Sequence, residues 1–206
     1  IDSVENLKKR KYSIIYPEEG QLASLHKGKG RLAELNKIMN GIKKLFEYNL
    51  ILENKKVLLT AGPTQEAIDP VRFLSNKSSG KMGYALAKTA KNFGAEVTLV
   101  SGPVKLDKIS GINHVDVTTA ESMAETIKSL TEKTDFDYIF MVAAVADYAP
   151  KEYSVDKLKK NDDNLIMQFV KTTDILKSII SKTKSTKVGF ALETNNGEKN
   201  ALKKMK

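Results

Sequence analysis

The chain has 206 residues, enough for one α/β domain with a well-buried core. Its 34 Lys+Arg against 25 Asp+Glu leave a net charge of +9, which fits an anionic partner, although scattered lysines also serve solubility. The absence of cysteine excludes a disulfide framework and thiolate chemistry, and no apolar run is long enough to cross a bilayer, so a soluble, cytoplasmic protein without a membrane partner is expected.

Residues 1–30 carry weak signals. Val4–Lys11 has the pattern of a short helix, Tyr12–Tyr16 that of a strand ended by Pro17, and Gly28 and Gly30 act as breakers after it. Leu32, Leu35, Ile38, Met39, Ile42, Leu45 and Phe46 then repeat at helical spacing, predicting an amphipathic helix over Arg31–Tyr48. It reads first as a connector packed on the main domain and second as a partner-binding helix. From Lys55 onward strand and helix alternate. Val57–Thr60 is the first strand. It runs into Ala61-Gly-Pro-Thr-Gln-Glu66 and then Asp69-Pro-Val-Arg-Phe-Leu-Ser-Asn-Lys-Ser-Ser-Gly-Lys-Met-Gly83. Met82, Ala85, Leu86, Ala90 and Phe93 mark the helix after it, ending at Gly94.

Glu96–Gly102 and His114–Val117 are the next strands. Thr118 and Glu121 have the spacing of a capping box before a helix with Met123, Ile127 and Leu130 on its buried stripe. Tyr138–Ala146 is almost continuously apolar, as a central parallel strand should be. Leu165–Val170 is a further strand, Ile175, Leu176, Ile179 and Ile180 mark a helix, Lys187–Leu192 is another strand, and a last helix starts near Asn196. This order predicts an α/β fold: a Rossmann-like parallel sheet flanked by helices on both faces, with a flap insertion between Ala149 and Leu165. Both ends read as cut, since no Met begins the chain and Ala201–Lys206 continues a helical pattern without a stop signal.

In such sheets ligands sit beyond the carboxyl ends of the strands. A strand, a loop of Gly, Ser and Lys and a helix N-terminus together form an anion site, because the first helical N–H groups lack intrahelical partners. An ordinary polar connection is the plainer alternative. The loop is neither a dinucleotide fingerprint, with only Gly62 near the strand, nor a P-loop, since no Ser or Thr follows Lys81. Residues at the strand ends that could carry chemistry are Gly62, Pro63 and Thr64, then Arg72, Asn76, Ser78, Ser79, Gly80 and Lys81 after the first strand, and Ala143, Ala144 and Asp147 after the apolar one. Lys157, Lys159 and Lys160 lie on the flap, and Lys171-Thr-Thr-Asp174 precedes a helix. Phe190, after Gly189, could stack on a base or belong to the core. Glu193-Thr-Asn-Asn196 is polar beyond the need of a turn. His26 and His114 are the two histidines, so neither a Ser/His/Asp set nor zinc-type ligand spacing is present. Positive charge, hydroxyls, amides and one carboxylate suit nucleotidyl or phosphoryl transfer with Mg²⁺.

Thr60–Glu66, Asp69–Gly83, Val97–Pro103, Ala143–Tyr148, Lys157–Lys160 and Val188–Asn195 closely resemble, in order, the phosphopantothenoylcysteine synthetase family, the ligase part of a bifunctional coenzyme A biosynthesis protein. The resemblance implies CTP-dependent ligation of 4′-phosphopantothenate to cysteine through an acyl-cytidylate, with Mg²⁺, in a homodimer formed through the ligase domain. It implies that Asp147, Lys157, the turn Thr172, Thr173, Asp174 and Ile175, Phe190 and Lys204 bind CTP. Ser78, Ser79 and Gly80 lie by the phosphates, and Ala143 and Ala144 line the nucleotide site. Asn76, with Arg72 nearby, holds the acyl intermediate, and Lys157 closes over it.

Pro17–Ala33 resembles the tail of phosphopantothenoylcysteine decarboxylase, the FMN-dependent partner domain, with Ser24 where that family has its proton-donating cysteine. The implied division is a decarboxylase tail and connecting helix over 1–53 and a ligase domain over 54–206 that the family continues past Lys206. No decarboxylase activity is expected of this chain, because the FMN-binding bulk of that domain is not in it. Two other classes stand beside this reading. One is a non-catalytic or NAD(P)-binding Rossmann-type module, which the glycine spacing disfavours. The other is nucleic-acid binding, disfavoured because the longest basic cluster, Lys157–Lys160, has no interleaved aromatics.

Overall fold

The computed structural model describes residues 2–10, 12–21, 26–45, 50–159, 165–180, 183–192 and 197. It divides into two units, Ile1–Asn49 and Leu50–Lys206. The first unit holds helix α1 (Asp2–Lys9), an antiparallel hairpin of β1 (Glu18–Gln21) and β2 (Lys27–Arg31), and helix α2 (Leu35–Leu45). The hairpin departs from expectation. The strand follows Pro17 rather than preceding it, and Gly28 and Gly30 lie inside β2 instead of breaking it. Gly20 pairs with Gly28, and a Cβ on Gly20 would require the Arg31 side chain, whose Cδ would stand 2.6 Å away, to move. The helix starts later than predicted, because Arg31 ends β2 and the Glu34 carbonyl accepts the first helical N–H groups, from Lys37 and Ile38.

The second unit runs β3 (Lys56–Ala61), β4 (Gln65–Ala67), β5 (Phe73–Ser75), α3 (Lys81–Asn92), β6 (Glu96–Ser101), β7 (Asn113–Asp116), α4 (Ala120–Lys133), β8 (Tyr138–Met141), β9 (Tyr148–Pro150), β10 (Phe169–Lys171), α5 (Ile175–Ile180) and β11 (Thr186–Gly189). Five strands form one parallel sheet in the order β11-β8-β3-β6-β7. The chain winds outward from β3 in one direction through β6 and β7. It then returns to the other side of β3 as β8, so β3 and β8 flank the switch point. Alternation along the strands feeds two cores. Val57, Leu59, Ala61, Val97 and Leu99 pack with Tyr84, Ala87 and Ala90 of α3. Leu58, Val100 and Ile139 pack with Met123 and Ile127 of α4 and Ile175 and Ile179 of α5. Val57, Leu58, Leu59 and Ile139 are fully buried, each contributing about 1.5–3 kcal/mol. The strands that carry the rim are thus among the best anchored.

Asp137 fixes the amino edge of the sheet. Its carboxylate accepts from Lys55 Nζ at 2.8 Å and from the Lys56 N–H at 2.9 Å, contacts that lower its pKa. Its own N–H and C=O bond Lys56 and Thr186, tying β3, β8 and β11 in register. The capping box of α4 is offset by one residue from the expected one. Thr119 is the N-cap and exchanges hydrogen bonds with Ser122, while Glu121 remains as an acidic residue in the first turn.

Three expected strands differ. Of Lys187–Leu192, the strand keeps Lys187–Gly189, and Phe190–Leu192 lie past its end. β8 ends at Met141, because the buried Thr60 hydroxyl accepts the Val142 and Ala143 N–H groups, each at 3.0 Å, and takes the chain off the backbone ladder. Of Leu165–Val170, Phe169 and Val170 are in β10, which pairs antiparallel with β9 rather than joining the sheet. Leu165 and Ile166 are exposed, so the apolar run does not report burial. The hairpin β4–β5 was not anticipated, since three-residue strands around Pro70 are too short to show a period.

Helix α3 lies against β3 at Gly83, where a Cβ would stand 2.6 Å from Ala61 Cβ and 2.9 Å from the Thr60 carbonyl oxygen. Overpacking of this kind costs about 1–3 kcal/mol. Gly83→Ala is therefore expected to lower the urea midpoint by a corresponding amount, and an unchanged midpoint would show that α3 can retreat freely.

Candidate functional site

The carboxyl ends of β3 and β8 are stitched together beyond the sheet. The Ala144 N–H donates to the Gly62 carbonyl at 2.8 Å, and Pro63 and Ala144 form a parallel bridge. The buried Thr64 hydroxyl accepts the Ala146 N–H at 3.0 Å. The Val142–Asp147 segment is thereby pinned along the Gly62–Thr64 turn, with Ala143 and Ala144 half-buried on it.

Three further pieces attach to this rim. The first is the loop leading to α3. Gly80, the N-cap, has φ +73° and lies so close to Gly62 that a Cβ on it would stand 3.4 Å from the Gly62 Cα. The N-terminus of α3 is thus delivered to the end of β3. No side chain caps it. The Ser78 and Ser79 hydroxyls only reach the Gly80 and Lys81 N–H groups at 3.3 and 3.5 Å, distances at or beyond the outer edge of a normal bond. Uncapped N–H groups at the start of a 12-residue helix favour an anion. Asn76, upstream, donates from Nδ2 to the Val145 carbonyl at 2.8 Å, so its amide lies on the rim.

The second piece is the turn before α5. Thr172 donates its N–H to the Asp147 carbonyl at 3.0 Å and its hydroxyl to the Ala146 carbonyl at 2.6 Å. Thr173 is exposed. Asp174 Oδ1 accepts from the Lys177 N–H at 3.0 Å as a helix cap, and Ile175 is buried in the core. Asp147 is exposed, and its carboxylate has no partner among the described residues. Phe190 follows the last residue of β11, on the same side of the sheet, and is 44% exposed.

The third piece is the flap. Asp69, 3% exposed, receives the Val71 and Arg72 N–H groups on Oδ1, each at 2.8 Å, and Arg72 Nε on Oδ2 at 2.9 Å, with Arg72 Nη2 beside it. The same Oδ2 accepts the Leu158 N–H at 3.2 Å, and Arg72 Nη2 donates to the Leu158 carbonyl at 2.9 Å. The Arg72 guanidinium first, and then these backbone N–H groups, hold the Asp69 carboxyl well below the usual carboxylate range against the opposing effect of burial. Lys157, next to Leu158, is exposed and unpaired among the described residues.

Of the candidates from the sequence, Asn76, Ala143, Ala144, Asp147 and Thr172 are joined by hydrogen bonds along one rim, with Ser78, Ser79 and Gly80 at the adjoining helix start. Arg72 is bound to the flap backbone. Ser24, Lys160, Glu193–Asn196 and Lys204 lie outside the described residues. Thr60 and Asp69 were missed as functional positions, whereas Thr64 was among the strand-end candidates. A threonine at the end of an apolar strand, and the Asp-Pro-x-Arg spacing of a side-chain-capped turn, were the available signals. Glu66 was missed as well: buried on β4, it accepts the Ala120 N–H at 2.8 Å and holds the hairpin to the start of α4. Among the described residues no group of three or more His, Cys, Asp or Glu is placed to hold a metal, and no helix is long and apolar enough to cross a membrane.

Residues 52–206 match the family described as the DNA/pantothenate metabolism flavoprotein C-terminal domain. Over 198 residues the chain is 46% identical to the coenzyme A biosynthesis bifunctional protein CoaBC of Bacillus subtilis, covering 94% of this chain and 48% of that protein. It is 40% identical over 208 residues to the protein of the same name from Vibrio parahaemolyticus, covering 99% and 51% respectively. The chain thus spans about half the length of the curated relatives it matches. A crystal structure of the C-terminal domain of a CoaBC protein superposes with a TM-score of 0.65 at 44% identity, covering 75% of this chain and 72% of that one.

A carboxylate held below its unfolded value, about 3.9 for Asp, stabilises the fold above roughly pH 4 and loses that contribution as pH falls toward the folded value. Asp69→Asn should therefore be less stable than wild type at pH 7 in urea titrations, with the difference shrinking below about pH 4. A difference that stays constant down to acid pH would contradict this assignment.

Proposed function

The chain belongs to the DNA/pantothenate metabolism flavoprotein C-terminal domain family, and we propose that it carries the CTP-dependent ligation of 4′-phosphopantothenate to cysteine, a step of coenzyme A biosynthesis. The observation that carries this reading is the assembly of Asn76, Asp147, Thr172 and an uncapped helix start on the rim between β3 and β8. This is the switch point at which such sheets bind nucleotides.

A carboxylate is a poor electrophile because its oxygen is a poor leaving group. In the proposed reaction a phosphopantothenate carboxylate oxygen attacks the α-phosphorus of CTP, forming an acyl-cytidylate and releasing pyrophosphate. The cysteine amine then attacks the acyl carbon, loses a proton and expels CMP. The triphosphate lies against the first N–H groups of α3 beside Ser78, Ser79 and Gly80. Lys157, reaching from the flap, offsets the charge that grows on the bridging phosphate oxygens. Asn76 keeps one Nδ2 proton on Val145 and directs the other toward the acyl group. Arg72 has Nη1 free for the anionic substrate while Nε and Nη2 remain on Asp69 and Leu158. Asp147 and Phe190, with the Thr172–Ile175 turn and Lys204, take the ribose and base.

Magnesium keeps several waters and is held largely through substrate phosphates, so it would enter with the triphosphate rather than on a dedicated cluster of carboxylates. When bound, the ion supplies charge neutralisation on the phosphates. The reading includes a homodimer. Val71 and Phe73 at the β4–β5 hairpin, and Tyr148, Phe169 and Val170 on β9–β10, are exposed apolar residues suited to contact a second copy.

Pyrophosphate release from CTP and phosphopantothenate before cysteine is added tests the reading. Wild type should release it, and Lys157→Gln should lower the rate by about 10²-fold while the thermal midpoint is kept. No release by wild type, or tight NADPH binding without CTP binding, would overturn the proposal. Wild-type turnover in Lys157→Gln would overturn the role of the flap lysine.

A further inference from the structure

We propose that Asp69 is a positioning residue that sets the place of Lys157, by holding Leu158 of the flap through its own carboxylate and through Arg72. This deepens, and rests on, the ligase reading above. An aspartate that only capped the turn at Pro70 would need Oδ1 alone, which already receives the Val71 and Arg72 N–H groups. Oδ2 is instead shared between Arg72 and the N–H of a residue 89 positions further along the chain. Arg72 closes the ring from the other side by donating to the Leu158 carbonyl at 2.9 Å. Both backbone groups of Leu158 are therefore held by one ion pair, whose acidic member has a fully buried side chain. Removing one partner of such a pair leaves a buried charge or donor unmet, which gives the arrangement its strength.

A second tie lies four residues upstream. The Ser154 N–H donates to the Ile68 carbonyl at 3.0 Å, and the Ser154 hydroxyl donates to the Asp156 carbonyl at 2.7 Å. Ser154–Leu158 is thus a short arch fastened at both ends to Ile68 and Asp69, and Lys157 is its one lysine. The Lys157 ammonium remains unpaired among the described residues. The same 68–76 loop ends at Asn76, fastened to Val145. One loop therefore sets both the amide on the rim and the lysine on the flap. Asp69 acts through these groups and does not itself reach the rim.

The test compares wild type, Asp69→Asn and Leu158→Pro, the last removing the flap N–H and restricting the backbone at Lys157 while leaving the Asp69–Arg72 pair intact. Amide exchange at Ser154–Lys157 should be faster in both variants while the β3 and β6 amides stay protected. Pyrophosphate release should fall by about 10²-fold, as expected when a reacting group is displaced by about an ångström. In the Lys157→Gln background, Leu158→Pro should cost little more, because its effect runs through that lysine while the Asp69–Arg72 pair is kept. A general loss of structure would instead raise exchange throughout the sheet. Unchanged flap exchange in both variants, or a full additional loss of rate on top of Lys157→Gln, would overturn the proposal. If wild type releases no pyrophosphate, the ligase reading fails, and the exchange measurement alone decides whether Asp69 fixes the arch.

Discussion

The parallel pairing of β3 with β8 is the constraint on which everything at the rim depends. β3 is buried, β8 is partly so, and both pack against the cores on the two faces, so their ends cannot shift without disturbing the packing of α3, α4 and α5. Past the last paired residues the ladder gives way to the hydroxyls of Thr60 and Thr64, which take three N–H groups of the Val142–Ala146 segment. Buried hydroxyls without partners would be costly, and here they determine the course of a non-repetitive segment. The alanines and Asp147 of that segment are consequently presented at a fixed place.

Onto this base the chain adds its remaining polar groups by rigid means. Glycine allows α3 to meet β3 at two levels, with Gly80 against Gly62 and Gly83 against Ala61. A helix start without a side-chain cap is thereby set at the strand end, its donors available to a phosphate. Asp69 and Arg72 do for the flap what the threonines do for β8: they satisfy backbone groups of a segment that no sheet supports. At the opposite edge, Asp137 fixes the register of three strands and plays no part in the rim.

Most of the sheet was legible in the sequence because buried parallel strands leave apolar runs, as in Val57–Thr60 and Glu96–Gly102, and helices leave periodic stripes. The site was legible in outline because Ser, Gly and Lys cluster between one such strand and one such helix. Less was legible where contacts between distant residues decide. Tyr138–Ala146 is uniformly apolar, yet its second half leaves the ladder because of a hydroxyl some eighty residues away. Leu165 and Ile166 have strand-like composition and are exposed, so hydrophobicity there misreports position. The pairs β4–β5 and β9–β10 are too short for a period, and β1–β2 is made of charged residues, glycine and Gln21. The link from Asp69 to Leu158 has no local signature, since only the folded chain brings the two together.

The deciding measurement is where a nucleoside triphosphate binds. A crystal structure of the protein with CTP and Mg²⁺ is predicted to place the phosphates on the first N–H groups of α3 beside Ser78–Gly80. The ribose and base should lie by Asp147, Thr172 and Phe190, with Lys157 turned toward the phosphates. Density for the nucleotide away from the β3–β8 rim, with those groups unengaged, would contradict it.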